Sequence, residues 1–366
     1  MTKTFLETPC VIIDAQQTQR NVNTMAATIS STDAKLRPHA KTHKLPSVAH
    51  QQLQAGASGI TVAKISEAEV MAEGGIRDIF VAYPLVTASK IERAAALSKS
   101  IRLITAVDSL EGARLLAATA TAQGVTLETR LEIDTGLRRT GAAMTNAVAL
   151  AQQIHNLAGL HLTGIYTFRG ALLDGRPTRD LEQAGREEGE MMVKLVEEMR
   201  AAGLNIADVS VGSTPTAVFA AQVKGVTEVR PGTYVYQDRM QAALGVCAIE
   251  DCAGSVLVTV VSRPSPDLVV IDGGSKTFAT DVQPNSEPAR LIGFGHVIGA
   301  PDAILERLSE EHGMLRVAPD CSWQVGDQLR IIPNHICSTV NLHNQVIWQD
   351  GDQYIAVPVL ARGKLE

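Results

Sequence analysis

The run Leu36-Arg37-Pro38-His39-Ala40-Lys41-Thr42-His43-Lys44 places one lysine between two histidines, with an arginine and a second lysine nearby. Crowding by cations and burial each lower a lysine pKa, and a lysine with free amine at neutral pH can form a Schiff base with a carbonyl. Read locally, the same run is also a solvated basic turn. A second group lies in Pro333-Asn334-His335-Ile336-Cys337. On a strand the i and i+2 side chains share a face, so His335 and Cys337 would point the same way. One imidazole and one thiolate with open positions make a minimal catalytic metal site, for which zinc is the first choice. A buried cysteine beside an incidental histidine gives the same spacing. The segment Gly212-Ser213-Thr214-Pro215-Thr216 offers backbone N–H groups, two hydroxyls and a proline suited to a first helical turn, which together would cradle an anion. A plain helix cap explains it equally. Arg139 is placed to hold a phenolate or carboxylate through its planar fork, or to pair with Asp134 at a rim.

These residues need a frame. Strand-like runs recur at 35–39, 59–63, 78–83, 101–107, 127–134, 160–168, 208–212 and 227–235. Helix-period segments lie between them, such as 66–73, 88–97, 110–122, 147–154 and 181–202. Eight strands alternating with helices predict a (β/α)8 barrel of the TIM type. The doubly wound open sheet is the alternative, but it wants a glycine-rich first turn, and 37–44 has no glycine. In a barrel the chemistry lies at the C-terminal strand ends. Lys41, Glu132–Gly141, Tyr166–Gly170, Gly212–Thr216 and Arg230–Tyr234 all fall there.

After about residue 242 the pattern becomes short, β-rich runs at 255–261, 268–271, 315–317, 328–332, 339–342, 345–348 and 354–359, with one helical stretch at 303–311. The expected division is an N-terminal strand (1–14) joining the β-rich part, a barrel over 15–242, and a C-terminal β-domain over 243–366. His312 is read either as a polar group near the metal or as part of a helix end.

Composition narrows the class. The 366 residues are 45% hydrophobic and 20% charged, with net charge −6, which suits a soluble metabolic enzyme and disfavours a nucleic-acid surface. No apolar run suggests a membrane span, and Thr4–Thr8 does not read as a leader. Five scattered cysteines fit a reducing cytoplasm.

Taken together, the lysine motif, Gly212–Thr216, Arg230-Pro231-Gly232-Thr233-Tyr234 and Pro333–Cys337 resemble the metal-activated pyridoxal-phosphate enzymes of the D-serine dehydratase and D-threonine aldolase family. These have the alanine-racemase-like architecture (fold type III), and the resemblance spans nearly the whole chain. It implies that Lys41 carries pyridoxal 5'-phosphate and that Gly212, Ser213, Thr214, Gly232 and Thr233 hold the phosphate. Arg139 and Tyr166 would lie near the pyridine ring, and His335 and Cys337 would bind a divalent metal (zinc, or manganese, cobalt or magnesium). Phe168-Arg169 departs from the small or histidine-containing segment of the family. The resemblance further implies a homodimer with each site at the subunit interface and a D-amino acid substrate.

The His-x-Cys pair is similar to the dehydratase branch, where the aldolases resemble His-x-Asp. The expected activity is dehydration of D-serine or 3-hydroxy-D-aspartate. The alternatives are retro-aldol cleavage of D-threonine or 3-hydroxy-D-aspartate, racemisation with Tyr234, Tyr236 or Tyr354 as second base, and a non-catalytic cofactor carrier. A second substrate carboxylate would want another cation, for which position alone suggests Arg169.

Overall fold

Some short stretches of this chain, such as Ile79-Phe80-Val81, are apolar on both faces, as strands buried between a barrel interior and a helical layer must be. The computed structural model describes residues 6–366, so the first part of the Thr4–Thr8 stretch lies outside the described residues. Strand β1 (Cys10–Asp14) and helix α1 (Ala15–Ser30) are followed by β2 (Lys35–Leu36), α2 (Pro46–Gln54), β3 (Ile60–Val62), α3 (Ile65–Glu73), β4 (Asp78–Pro84), α4 (Ala88–Leu97), β5 (Arg102–Val107), α5 (Leu110–Ala122), β6 (Leu127–Asp134), α6 (Met144–His155), β7 (Leu160–Tyr166), α7 (Leu181–Ala201), β8 (Asp208–Val211), α8 (Ala217–Ala220) and β9 (Glu228–Val229). The chain forms two units. One holds 23–41, 45–232 and 364–366; the other holds residues up to Val22, 42–44 and 233–363.

In the first unit, parallel strands run in the order β2-β9-β8-β7-β6-β5-β4-β3, and the bridge from His39 to Thr61 closes the circle. This is the closed TIM-type barrel rather than the open doubly wound sheet. Ser109 caps α5 and Asp180 caps α7, each side chain accepting a backbone N–H of the first turn. The strands at both sides of the closure are shorter than their sequences suggest. Of 35–39, only Lys35–Leu36 and the His39 bridge pair. Of 227–235, only Glu228–Val229 is strand: Pro231 lacks a donor, and Thr233–Val235 turns as a 3-10 helix.

The N-terminal end of the barrel is closed by charge. Glu228, almost fully buried, accepts from Arg37 Nε at 2.6 Å and from Ser210 Oγ at 2.6 Å, and pairs with Arg130. Arg37 also reaches Asp78, and Arg130 reaches Asp208 at 3.0 Å. Burial alone would raise the Glu228 carboxyl, but Arg130 and Arg37 override it and hold the group far below the usual carboxylate range. Such a depressed pKa contributes stability above the ordinary glutamate value, and that contribution is lost as pH falls toward the folded-state value. Glu228→Ala leaves two buried guanidinium groups uncompensated. It is expected to cost about 3–5 kcal/mol, read as a lower urea midpoint.

The second unit is β-rich. After α9 (Arg239–Ala243) come β10 (Gly254–Ser265), β11 (Leu268–Ile271), β12 (Gly295–Val297), β13 (Ile304–Leu308), β14 (Gly313–Arg316), β15 (Gln328–Pro333), α10 (Ile336–Leu342), β16 (Gln345–Asp350) and β17 (Gln353–Pro358). The order β11-β14-β13-β12-β15-β10 closes on itself through β10–β11, giving an antiparallel barrel. From β10 the sheet extends through β1 to β16 and β17.

Two expectations are corrected here. The 303–311 stretch is not a helix: Ile304–Leu308 pairs with Gly313–Arg316 as a hairpin, and its helix-forming Leu, Glu and Arg residues yield to strand pairing around a buried Leu305. His312 therefore sits in that hairpin's turn, not at a helix end. Conversely, 339–342 is not a strand but the end of α10, where Thr339 Oγ1 donates back to the His335 carbonyl at 2.9 Å.

Candidate functional site

Five neighbouring strands of the first barrel, β2, β9, β8, β7 and β6, end side by side. Their C-terminal ends carry most of the chemistry the sequence singles out. Lys41 is half-buried in a 3-10 turn just past the His39 bridge, its N–H donating to His39 Nδ1 at 3.3 Å. Its Nζ lies 5.3 Å from the centre of the Phe168 ring, and the Arg139 guanidinium lies 5.0 Å from the same ring. Phe168 thus gathers the two cations through its electron-rich face. The departure from the family pattern at this position is the residue that brings Lys41 and Arg139 together.

The expected crowd of basic side chains is only partly formed. Arg37 is turned into the ionic layer, and Lys44 donates to the Ala361 carbonyl at 3.3 Å. Arg139 does not take Asp134, whose carboxylate instead accepts the Gly136 and Arg138 N–H groups. Arg169 is buried, paired with Glu187 at 3.0 Å, and so is not presented to a second substrate carboxylate.

Tyr166 is buried inside the barrel, edge-on to Phe80, with Arg230 5.2 Å from its ring. Its hydroxyl donates to Glu132 Oε2 at 3.0 Å, and Thr140 donates to Glu132 Oε1 at 2.8 Å. Burial pushes the Glu132 carboxyl up, against the pull of Thr140, Tyr166 and Arg139. Burial and then Glu132 push the Tyr166 hydroxyl well up. Glu132 is a residue that sequence reasoning quoted without a role. Its signal is parity: Glu128, Arg130, Glu132 and Asp134 alternate along one strand and share one face.

The loop after β8 is compact and buried. Gly212 adopts φ +83°, where a Cβ would also meet Ala217 Cα at 3.1 Å. The Ser213 N–H donates to Thr216 Oγ1 at 3.2 Å, and the two hydroxyls lie 2.9 Å apart. The Gly232 N–H donates to Thr214 Oγ1 at 3.2 Å, tying the ends of β8 and β9. The expected helix at Pro215 is only the four-residue α8 (Ala217–Ala220), which begins after Thr216 without a side-chain cap.

His335 and Cys337 are in the second unit. They do not share a strand face: His335 caps α10 and Cys337 lies in its first turn. They nevertheless come close enough for each to shift the ionisation of the other. Asp281 Oδ2 lies 2.6 Å from His335 Nδ1 and accepts from Ser338 Oγ at 2.9 Å. Thr42 Oγ1 is 3.1 Å from the Cys337 sulfur, and Thr233 Oγ1 is 3.5 Å from it. Thr233 therefore faces the cysteine. Burial opposes ionisation of this pair, but attraction wins. The Cys337 thiol is held below its ordinary value by His335, and His335 is held well above its own by Cys337 and Asp281. Asp238 accepts the Ile336 and Gln241 N–H groups and fixes the start of α10. Neither Asp281 nor Thr42 was legible as a partner, because 54 and 295 residues separate them from their contacts.

The donor set suits a divalent metal: a thiol ready to ionise, and an imidazole whose Nδ1 is engaged by a carboxylate, leaving Nε2 to ligate. Among the described residues no group of three or more His, Cys, Asp or Glu side chains gathers as a metal site, so the pair supplies two donors. At the barrel mouth, an amine, a guanidinium over an aromatic ring, hydroxyls and backbone N–H groups suit an anionic aldehyde cofactor. No helix among the described residues is long and apolar enough to cross a membrane.

Comparison with known proteins agrees with this make-up. Residues 13–240 match the alanine racemase N-terminal domain, and residues 253–348 match the serine dehydratase domain. The chain is 35% identical to D-threo-3-hydroxyaspartate dehydratase of Delftia sp. (strain HT23), over 91% of this chain and 92% of that protein. It is 30% identical to D-threonine aldolase of an Arthrobacter species, over 98% and 93%. A solved cysteine-to-alanine mutant of D-threo-3-hydroxyaspartate dehydratase, in the metal-free form, superposes with TM-score 0.89 at 33% identity, over 96% of this chain and 97% of that one. The chain belongs to the alanine-racemase-like family, in the group of lyases that joins this barrel to a serine dehydratase domain.

Proposed function

We propose that the protein is a pyridoxal-phosphate- and divalent-metal-dependent dehydratase of D-3-hydroxy amino acids, converting D-serine or 3-hydroxy-D-aspartate to a 2-oxo acid and ammonia. The observation that carries the reading is the His335–Cys337 pair, oriented by Asp281, in a chain whose barrel mouth presents Lys41. Residues 15–242 bind the cofactor in this reading, and 243–366 carry the metal pair. Likeness to the Delftia dehydratase favours elimination.

The cofactor, when bound, supplies an electron sink for charge developing at the substrate Cα, and the metal, most suitably zinc, supplies a Lewis acid for the β-oxygen. Lys41 would hold the cofactor, and its amine would serve as the base for the substrate Cα proton. Ser213, Thr214 and Gly232 hold the phosphate. Arg139, 5.0 Å from the Phe168 ring, would supply a positive charge to the cofactor ring, and the Tyr166–Glu132–Thr140 network is braced by its own hydrogen bonds. His335 and Cys337 would hold the metal, whose Lewis acidity would act on the β-oxygen. A cytoplasmic homodimer with each site at the subunit interface belongs to the same reading.

Retro-aldol cleavage is the second reading, favoured by likeness to D-threonine aldolase over nearly the whole chain. Products decide. Metal-loaded protein is expected to form a 2-oxo acid and ammonia from D-serine or 3-hydroxy-D-aspartate, from D-forms only, with loss of activity on chelation. Glycine plus an aldehyde establishes the aldolase instead. Formation of the opposite enantiomer overturns both.

A further inference from the structure

Helix α7 carries a glutamate that the proposed reaction does not use. Glu188 is fully buried, and its Oε2 lies 3.4 Å from Thr216 Oγ1. Its Oε1 has no hydrogen-bond partner of normal geometry among the described residues. The charged groups facing it are Arg230, from beyond β9, and Arg169, which is itself paired with Glu187. The backbone of Gly212 and Arg169 also favours its ionised form, against the larger effect of burial. Glu188 is thus the first member of a line that runs through Thr216 Oγ1 to Ser213 Oγ, 2.9 Å further on.

Each hydroxyl in that line has one proton to give. When Glu188 is ionised it can only accept, so Thr216 spends its proton on Glu188. Thr216 then accepts from Ser213, whose own proton is used and which is left with acceptor capacity only. When Glu188 is protonated the order reverses. Glu188 donates to Thr216, Thr216 donates to Ser213, and the Ser213 proton is released for an anion.

We propose that Glu188 is a positioning residue whose proton sets the direction of the Thr216 and Ser213 hydroxyls, so that the Gly212–Thr214 loop takes up a dianion together with one proton. The inference rests on the reading of that loop as the phosphate cradle. Burial pushes the Glu188 carboxyl up to about 7, against the pull of Arg230, so the switch lies near neutral pH. Above that pH the anion-competent fraction falls about tenfold per pH unit, and the apparent affinity falls with it.

Sulfate is the probe, because it stays a dianion throughout this range. Its affinity for the cofactor-free full chain, measured by calorimetry, is expected to fall between pH 6.5 and 8.5 in the wild type. In Glu188→Gln, which donates at every pH, affinity should stay flat near the wild-type low-pH value. A wild-type affinity that does not change with pH, or a pH dependence that survives in Glu188→Gln, overturns the proposal while leaving the cradle intact. Sulfate binding indifferent to Ser213→Ala and Thr214→Val removes the cradle itself, and the inference with it. Should Glu188→Gln fail to fold, proton uptake by the wild type, from titrations in two buffers of different ionisation enthalpy, decides. Uptake approaching one proton per sulfate above pH 7 supports the proposal, and zero overturns it.

Discussion

Lys41→Ala is expected to abolish the visible absorbance of lysine-linked pyridoxal phosphate and to lower dehydratase activity by at least about 10³-fold, since it removes both the covalent attachment and the base. The folded structure should survive. Lys41 is half-buried on a turn, and among the contacts it loses is the Phe168 ring, whose centre lies 5.3 Å from its Nζ. Such a contact contributes only about 0.5–1 kcal/mol at a partly exposed site. A thermal midpoint near the wild type would therefore accompany the loss of colour. Borohydride reduction followed by peptide mapping gives an independent check, because the added mass should fall on Lys41 in the wild type and on no residue in the variant. Lys44 is the informative competitor. It lies three residues away, but its Nζ donates to the Ala361 carbonyl and the residue is buried. A label on Lys44, or colour that persists in Lys41→Ala, would overturn the assignment.

The barrel was legible because its strands are local. Ile79-Phe80-Val81 is apolar and Leu103–Val107 is buried on successive residues, as a strand covered on both faces must be, and two of the intervening helices, α5 and α7, carry side-chain caps. The β-unit was legible only in outline. Its strands are specified by partners far along the chain, as with β1 between β10 and β16, so local propensity misled at 303–311 and 339–342.

The site divides in the same way. Lys41, Arg139 and the Gly212–Thr214 loop stand at strand ends, where topology alone says chemistry collects. Their supporting groups do not. Arg37 looks like one more cation beside Lys41, yet strand parity turns it into the ionic layer with Glu228. Glu188 sits among Arg186, Glu187 and Glu190 on a helix that reads as a solvated charged face. The spacing of Leu181, Ala184, Met192, Leu195 and Met199 puts Glu188 on the buried face of α7, but only the packing of that face against the loop after β8 gives it Thr216 as a partner.

Cys337→Ala should separate the two halves of the proposed chemistry. The variant keeps Lys41, Phe168, Arg139 and the phosphate loop, so it is expected to bind pyridoxal phosphate with unchanged colour. It loses one of two metal donors, and the remaining imidazole alone holds a divalent ion weakly. Metal content by atomic spectroscopy should fall to background, and activity by about 10³-fold or more, since hydroxide is a poor leaving group without a Lewis acid on its oxygen. Added zinc should restore chelator-treated wild type but not the variant. Asp281→Asn provides the graded companion. It keeps both donors and removes the carboxylate 2.6 Å from His335 Nδ1, so metal affinity should drop about 10–100-fold, with activity recovered at high zinc. The order wild type, Asp281→Asn, Cys337→Ala in metal affinity, with cofactor colour constant across all three, is what a metal centre predicts. An ion pair that merely staples α10 in place predicts instead a falling thermal midpoint and no response to zinc. Activity that persists in Cys337→Ala under chelation would show that the pair is such a staple, and the elimination would then have to proceed without it.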